Sequence, residues 1–229
     1  MIPMRVAEIF QSIQGEGEFC GTPSLFVRTT GCNLRCWFCD TPYTSWQPEG
    51  SQQDWSLLLK NILDVDCRHV VITGGEPMLQ PALVLLSKEL RLANRFITIE
   101  TAGTVYRPVV ADLLSISPKL SNSAPRQPGR WQTRHERDRQ RLDVIQQLID
   151  GFRVQFKFVI DQPRDLDEVV SYLGAFPGLP ADKVWLMPQG TTAEELMSKS
   201  GWLGKEAKRL GFRLSPRRHI ELFGHVRGT

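Results

Sequence analysis

Six short apolar runs rich in Val, Ile and Phe, interleaved with longer segments of helical periodicity, constrain this chain more than any other feature. The runs lie near residues 25–29, 70–73, 96–100, 113–117, 154–160 and 184–187. The helical segments lie near 54–63, 81–92, 134–149, 166–173 and 193–209. A strand that is apolar almost throughout is covered on both faces, as in a parallel sheet whose crossover helices pack against it. The class is therefore α/β. A closed eightfold barrel typically needs about 250 residues and eight strands, so the expectation is an incomplete parallel βα barrel of about six strands. With 229 residues, 41% hydrophobic and 23% charged, a single domain over 1–229 is expected. Residues 121–133, with Pro125, Pro128 and Gly129, have no periodicity and read as a long loop leading into an arginine-rich helix.

Each of four runs ends in a polar, turn-forming segment. Thr73 is succeeded by Gly74, Gly75, Glu76 and Pro77; Ile99 by Glu100 and Thr101; Ile116 by Ser117, Pro118 and Lys119; Met187 by Pro188, Gln189 and Gly190. In parallel α/β folds the carboxyl ends of the strands hold the ligand site, because loops vary there while the strands fix their positions.

Some classes are disfavoured. No stretch approaches the roughly 18 to 20 uninterrupted apolar residues of a membrane span, and the first ten residues lack the basic-then-apolar layout of a signal peptide. The expectation is a cytoplasmic protein with no membrane partner. A net charge of +3 gives no electrostatic case for wholesale binding to nucleic acid. Arg126, Arg130, Arg134, Arg137, Arg139 and Arg141 are interrupted by Glu136 and Asp138, which makes that run a solvated face rather than an RNA surface.

Five cysteines is an odd number, and three of them, Cys32, Cys36 and Cys39, fall within eight residues. In a reducing compartment that crowding points to metal or redox use rather than a disulfide framework. Three buried cysteines on one helix face is the plain alternative, but Gly31, Asn33 and Pro42 favour a looping backbone. Structural zinc usually takes four ligands from two pairs; here there is one Cys-x2-Cys, with Cys20, Cys67 and His69 as irregular additions. Iron-sulfur clusters normally take four thiolates, so a set of three implies one iron open to a substrate-like ligand.

Cys-x3-Cys-x2-Cys, with Phe38 just before the last cysteine, resembles the signature of the radical S-adenosylmethionine (SAM) enzymes. The resemblance implies a 4Fe-4S cluster whose open iron is chelated by the methionine end of SAM. One electron from the cluster then cleaves the sulfonium to a 5'-deoxyadenosyl radical, which abstracts a hydrogen atom. It also implies that Gly75 approaches the methionine moiety, that Glu76 receives its ammonium, and that Phe38, Ser117, Pro118, Lys119 and Gln189 contact the cofactor.

Further segments narrow the resemblance. Residues 10–17, 26–28, 39–41, 72–77, 117–119, 155–158 and 186–190 together are similar to the 7-carboxy-7-deazaguanine synthase family, almost end to end. That family contracts the ring of 6-carboxy-5,6,7,8-tetrahydropterin with loss of ammonia, towards the 7-deazapurine bases of queuosine in tRNA, and needs magnesium. The resemblance implies Thr41 as magnesium ligand, with Asp40 behind it. It further implies a substrate site from Ile13, Gln14, Gly15, Glu16, Arg28, Thr73, His219 and Thr229, with residues 1–22 and 210–229 as substrate-covering extensions. Arg28 has a physical warrant besides: it shares a strand face with Phe26, and a buried guanidinium is costly unless an anion meets it. The substrate carboxylate is such an anion, and a salt bridge to Glu16 or Glu100 is the alternative. Magnesium prefers oxygen and keeps several waters, so a single hydroxyl beside a substrate carboxylate can suffice.

Glu100 ends a strand at the site face and orients substrate or ribose, or else makes a cap or salt bridge; the role of Lys157 stays open. An electron donor such as flavodoxin and a homodimeric assembly are expected, and no residue fixes either. Two rival functions are a radical activase acting on a partner protein and a zinc module binding RNA. Residues 14–17 and Asp40 with Thr41 argue against the first, and the mixed charge of the arginine run argues against the second.

Overall fold

In the computed structural model, which describes residues 2–229, all six apolar runs become strands. Met1, inside the expected domain 1–229, lies outside the described residues. The order is β1 (Pro3–Ile13), β2 (Pro23–Thr29), α1 (Pro42–Ser45), β3 (Ser51–Asp54), α2 (Trp55–Leu63), β4 (His69–Gly74), α3 (Leu83–Leu92), β5 (Phe96–Thr101) and β6 (Leu113–Ile116). The second half adds α4 (Arg130–Arg139), α5 (Leu142–Gly151), β7 (Val154–Ile160), α6 (Asp165–Leu173), β8 (Val184–Pro188), α7 (Ala193–Leu210), β9 (Arg213–Leu214) and α8 (Arg218–Phe223).

The strands form one sheet in the order β3-β1-β2-β4-β5-β6-β7-β8-β9. From β2 to β9 every pairing is parallel, whereas β1 runs antiparallel to both β2 and β3. The sheet does not close, since β3 and β9 are its edges. A partial barrel is thus the observed architecture, with three strands more than the apolar runs announce. β1 has no apolar run because only Met4 and Val6 are fully covered, β3 is the polar edge Ser-Gln-Gln-Asp, and β9 has two residues.

Alternation along the strands divides the molecule. On β7, Phe156 and Phe158 point to the covering helices while Lys157 and Val159 line the opposite, concave side. The outward rings stack into a cluster: Phe158 meets Tyr172 at 5.7 Å, and Tyr172 meets Phe176 at 5.7 Å between centroids. Such pairs add about 0.5–1.5 kcal/mol each to plain burial. α7 is set by its ends, a capping box between Thr192 and Glu195 and a left-handed Gly211 with φ of 73°.

The expected helix over 134–149 is two helices. α4 begins earlier, at Arg130, and the chain breaks at Gln140 and Arg141 before α5. The reason is a buried anchor: His135 on α4 bonds Ser123 Oγ at 2.9 Å and accepts from Arg35 N at 3.1 Å, so α4 is pinned to the cysteine loop while α5 packs Val144, Ile145 and Leu148 into the core. No helix is long and apolar enough to cross a membrane among the described residues.

Phe158→Ala should lower unfolding free energy by about 3–5 kcal/mol in a urea titration with unchanged slope. A loss under about 1 kcal/mol would show the ring cluster to be loosely packed.

Candidate active site

The carboxyl ends of β2 and β4 to β8 surround a cavity of about 430 Å³. β1 reaches it through Phe10 and Ile13, and the chain's last residues reach it through Val226 and Thr229.

Cys32, Cys36 and Cys39 occupy the loop between β2 and α1, and all three line this cavity. The loop is held from several sides. Gly31 N donates to Thr44 O at 2.8 Å, Gly31 O accepts from Glu76 N at 2.9 Å, and Trp46 Nε1 donates to Cys36 O at 2.9 Å. Burial pushes the Cys32 and Cys36 thiols up to about 12 and also raises Cys39. Thiols so placed resist ionisation until a metal binds them, which inverts the local electrostatics.

Among the described residues no three His, Cys, Asp or Glu side chains converge as ligands of one ion. Cys20 hydrogen-bonds Gly15 O, Cys67 hydrogen-bonds His69 O, and neither lines the cavity. The donor set facing the cavity is therefore three thiols with no fourth, which fits a 4Fe-4S cluster with one open iron.

Phe38, Gly75, Ser117, Lys119 and Gln189 line the same cavity, as does Thr41. Lys119 Nζ bonds Ser117 Oγ at 2.8 Å, and Gln189 Oε1 accepts from Lys199 at 2.8 Å. Two residues expected here are not on the cavity wall. Pro118 is absent from it, and Glu76 is fully buried behind it. Glu76 sits in extended conformation at the start of the turn Pro77–Leu79, which aims its carboxylate at Met78 N (3.0 Å), Thr101 Oγ1 (2.8 Å) and Ala102 N (2.8 Å). In this arrangement it ties the end of β5 to β4 from behind the cavity wall. Gly74 and Gly75 are needed by close packing: a Cβ on Gly74, at φ of 137°, would lie 2.1 Å from Thr29 O, and one on Gly75 would lie 2.3 Å from Gly31 O.

All eight residues expected at the substrate line the cavity: Ile13, Gln14, Gly15, Glu16, Arg28, Thr73, His219 and Thr229. Gln14 Nε2 donates to Glu100 Oε1 at 3.1 Å, and Thr73 Oγ1 donates to Glu100 Oε2 at 2.8 Å, so Glu100 orients both. Gly15 lets His219 come close, since a Cβ there would fall 1.9 Å from its Nδ1. Arg28 pairs with neither Glu16 nor Glu100 but with Glu8, at 2.6 Å through Nε. Its Nη groups make no protein hydrogen bond among the described residues, which leaves its fork open to an anion.

The charges that organise this wall send little signal in the sequence. Glu16 lies between Lys157 Nζ and Arg217 Nε (3.1 Å), Arg217 also binds Asp40 and Gly190 O, and Lys157 reaches Glu100 at 3.6 Å. Burial drives the Glu16 carboxyl upward, yet Lys157 and Arg217 override it and hold it well below its ordinary value. Burial likewise disfavours the Lys157 ammonium, and Glu100 and Glu16 more than restore it. A lone lysine inside the apolar run of β7 is a signal, because such a charge must be paired. Arg217 gives none, standing in a polar tail. That tail is strapped down by Arg227, which bonds Glu8 Oε2 at 3.0 Å and lies 4.1 Å over the Tyr43 ring.

The sequence pattern of the Radical SAM superfamily matches residues 26–160, more than half of the chain. The chain is 45% identical to the 7-carboxy-7-deazaguanine synthase of Rhodopirellula baltica, over 98% of this chain and 88% of that protein. It is 39% identical to the 7-carboxy-7-deazaguanine synthase of Halobacterium salinarum, over 98% and 92%. Among solved structures, QueE from Escherichia coli superposes with a TM-score of 0.67 at 23% identity, covering 95% of each chain. TYW1 with a lysine-pyruvate adduct bound superposes at 0.53, covering 80% of this chain and 73% of that one.

Glu16 has a depressed folded pKa, so its stabilisation is present above its unfolded value near 4.5 and fades as pH falls towards the folded value. Glu16→Gln should therefore cost about 3–5 kcal/mol near pH 7 in chemical denaturation, with the gap to the parent narrowing below about pH 4.5. A gap that held constant into acid would mean that Glu16 is not ionised in the folded chain.

Proposed function

The chain belongs to the radical SAM superfamily and, within it, to the 7-carboxy-7-deazaguanine synthases, and on that basis we propose that its cavity contracts 6-carboxy-5,6,7,8-tetrahydropterin to 7-carboxy-7-deazaguanine with release of ammonia. This is a lyase step of 7-deazapurine biosynthesis, on the route to queuosine and so to tRNA modification. The carrying observation is that three cavity-facing thiols and the open guanidinium fork of Arg28 share one cavity.

When bound, the 4Fe-4S cluster supplies the electron that cleaves SAM and so gives hydrogen-atom abstraction from the substrate. The chain's own groups do the rest. Cys32, Cys36 and Cys39 hold the cluster. Ser117 and Lys119 present hydroxyl and ammonium groups to the SAM nucleoside or carboxylate, with Phe38, Gly75 and Gln189 beside them. Arg28 takes the substrate carboxylate, its Nε kept in plane by Glu8. Gln14, Glu16, Thr73 and His219 face the polar edge of the pterin, and the Gln14 and Thr73 side chains are oriented by Glu100.

Thr41 would hold Mg2+ through its hydroxyl oxygen, while Asp40 stands paired with Arg217. Residues 1–22 and 210–229 cover the substrate, with Thr229 at the cavity wall. The electron comes from a donor such as flavodoxin, and the assembly is a homodimer acting in the cytoplasm.

Cys36→Ala should abolish reductive cleavage of SAM, read as 5'-deoxyadenosine by chromatography; continued formation would contradict the cluster assignment. Thr41→Ala should leave SAM cleavage measurable but blunt the rise of turnover with magnesium. An unchanged magnesium titration would remove Thr41 as a ligand.

A further inference from the structure

Lys199, half-buried on α7, is not on the cavity wall, yet its ammonium is bound entirely to the strand ends that build that wall. Its Nζ donates to Asp161 Oδ1 at 2.7 Å, to Gln189 O at 2.8 Å and to Gln189 Oε1 at 2.8 Å. Asp161 directly follows β7, and Gln189 directly follows β8. A lysine ammonium has three protons, so none is left for a ligand and Lys199 reaches the cavity only through another side chain. A surface ion pair between α7 and Asp161 would turn the other two protons to water and contribute little. Here both go to one residue, to its backbone carbonyl and its side-chain amide oxygen, which closes a ring on Gln189.

The backbone around Gln189 is already fixed. Gln189 N donates to Ile160 O at 2.9 Å, Gly190 O accepts from Arg217, and the Glu195 carboxylate accepts from Thr191 N at 2.7 Å. A Cβ on Gly190 would lie 2.8 Å from Glu195 Cβ, so α7 packs tightly on this turn. What the backbone leaves undecided is which end of the Gln189 amide faces a ligand, since a free amide can present either its oxygen or its two N–H groups. Lys199 decides it by taking Oε1. The Nε2 group makes no protein hydrogen bond among the described residues, and Gln189 lines the cavity. Gln189 therefore meets a ligand as a donor. Lys119, on the same wall, carries a full charge suited to a carboxylate, whereas an uncharged amide suits a neutral acceptor such as a ring nitrogen or a hydroxyl oxygen.

We propose that Lys199 is a positioning residue, which holds the Gln189 amide as a hydrogen-bond donor to an acceptor atom on the nucleoside end of SAM. The inference rests on the reading that this cavity takes SAM. Its effect belongs to binding and not to the radical step, because an amide fixed in advance loses less freedom when the ligand arrives. Nothing in the sequence marks Lys199, which stands among the mixed charges of a long helix; its role comes from α7 returning over the ends of β7 and β8.

The test is a double-mutant cycle read as SAM affinity, by equilibrium dialysis against the cluster-reconstituted, unreduced protein, in which SAM is not cleaved. Lys199→Met should weaken SAM binding about threefold to tenfold, and Gln189→Ala at least as much. Adding Lys199→Met to Gln189→Ala should then change affinity by less than about twofold, because the lysine has nothing left to position. Gln189→Glu, whose carboxylate can accept from Lys199 but offers no N–H, should bind SAM no better than Gln189→Ala. In turnover, Lys199→Met should raise the KM for SAM while kcat at saturating SAM stays within about twofold of the parent. A full additive loss in the Gln189→Ala background would show that Lys199 acts on the fold and would overturn the proposal. So would undiminished SAM affinity in Lys199→Met, or parent-like affinity in Gln189→Glu. Binding is read without turnover, which separates this proposal from the catalytic one. A parent that shows the coupling yet makes no 7-carboxy-7-deazaguanine supports the role of Lys199 and counts against the catalytic proposal. Additivity in a protein that does make the product removes the role of Lys199 alone.

Discussion

Three thiols facing one cavity, that of Cys36 buried and those of Cys32 and Cys39 half-buried, with no fourth cysteine on its wall, set the terms for the rest of this molecule. A closed zinc site would saturate its metal and end there. A three-thiolate cradle keeps one corner for an exogenous ligand, and every other wall of the cavity supplies groups suited to such ligands: hydroxyl and ammonium on one side, an open guanidinium and paired carboxylates on the other. The loop that carries the thiols must be stiff to do this. It is held by Thr44 and Trp46 from α1 and its flank, by Glu76 from the end of β4, and by Ser123 and His135 from beyond β6.

The substrate wall depends on a different principle. Largely covered Glu16, Lys157 and Arg217, with partly exposed Asp40 and Glu100 at the two ends, form a chain of alternating charge joining the loop after β1, the cysteine loop, β5, β7 and the tail. Glu16, Lys157 and Arg217 are not stable there alone, since desolvating a single charge costs several kcal/mol. Together they fix segments distant in sequence around one space. Polar pairing here specifies shape, while the apolar side of the sheet, with Phe156, Phe158 and the α5 and α6 faces, carries the stability.

Much of this architecture is legible from local pattern. The six parallel strands declare themselves because each is covered on both faces and so reads as an apolar run, and the cysteine spacing announces its chemistry at once. The features that escape depend on partners far along the chain. β1 is strand by virtue of pairing with β2 and β3, not by its own composition. The end of α4 is set by His135 reaching back a hundred residues to Arg35. Arg28 is expected to meet an anion, but its protein partner is Glu8, a neighbour only through antiparallel register. Glu76 sits inside a matching motif, and the sequence does not show that its carboxylate is held by Thr101 and Ala102 at the end of β5.

Mössbauer spectroscopy of the iron-57 reconstituted protein, with and without SAM, tests the three-thiolate cradle most directly. One iron in four should change its isomer shift when SAM is added while the other three keep thiolate values. Four equivalent irons indifferent to SAM, or a protein that takes up stoichiometric zinc in place of iron, would contradict it.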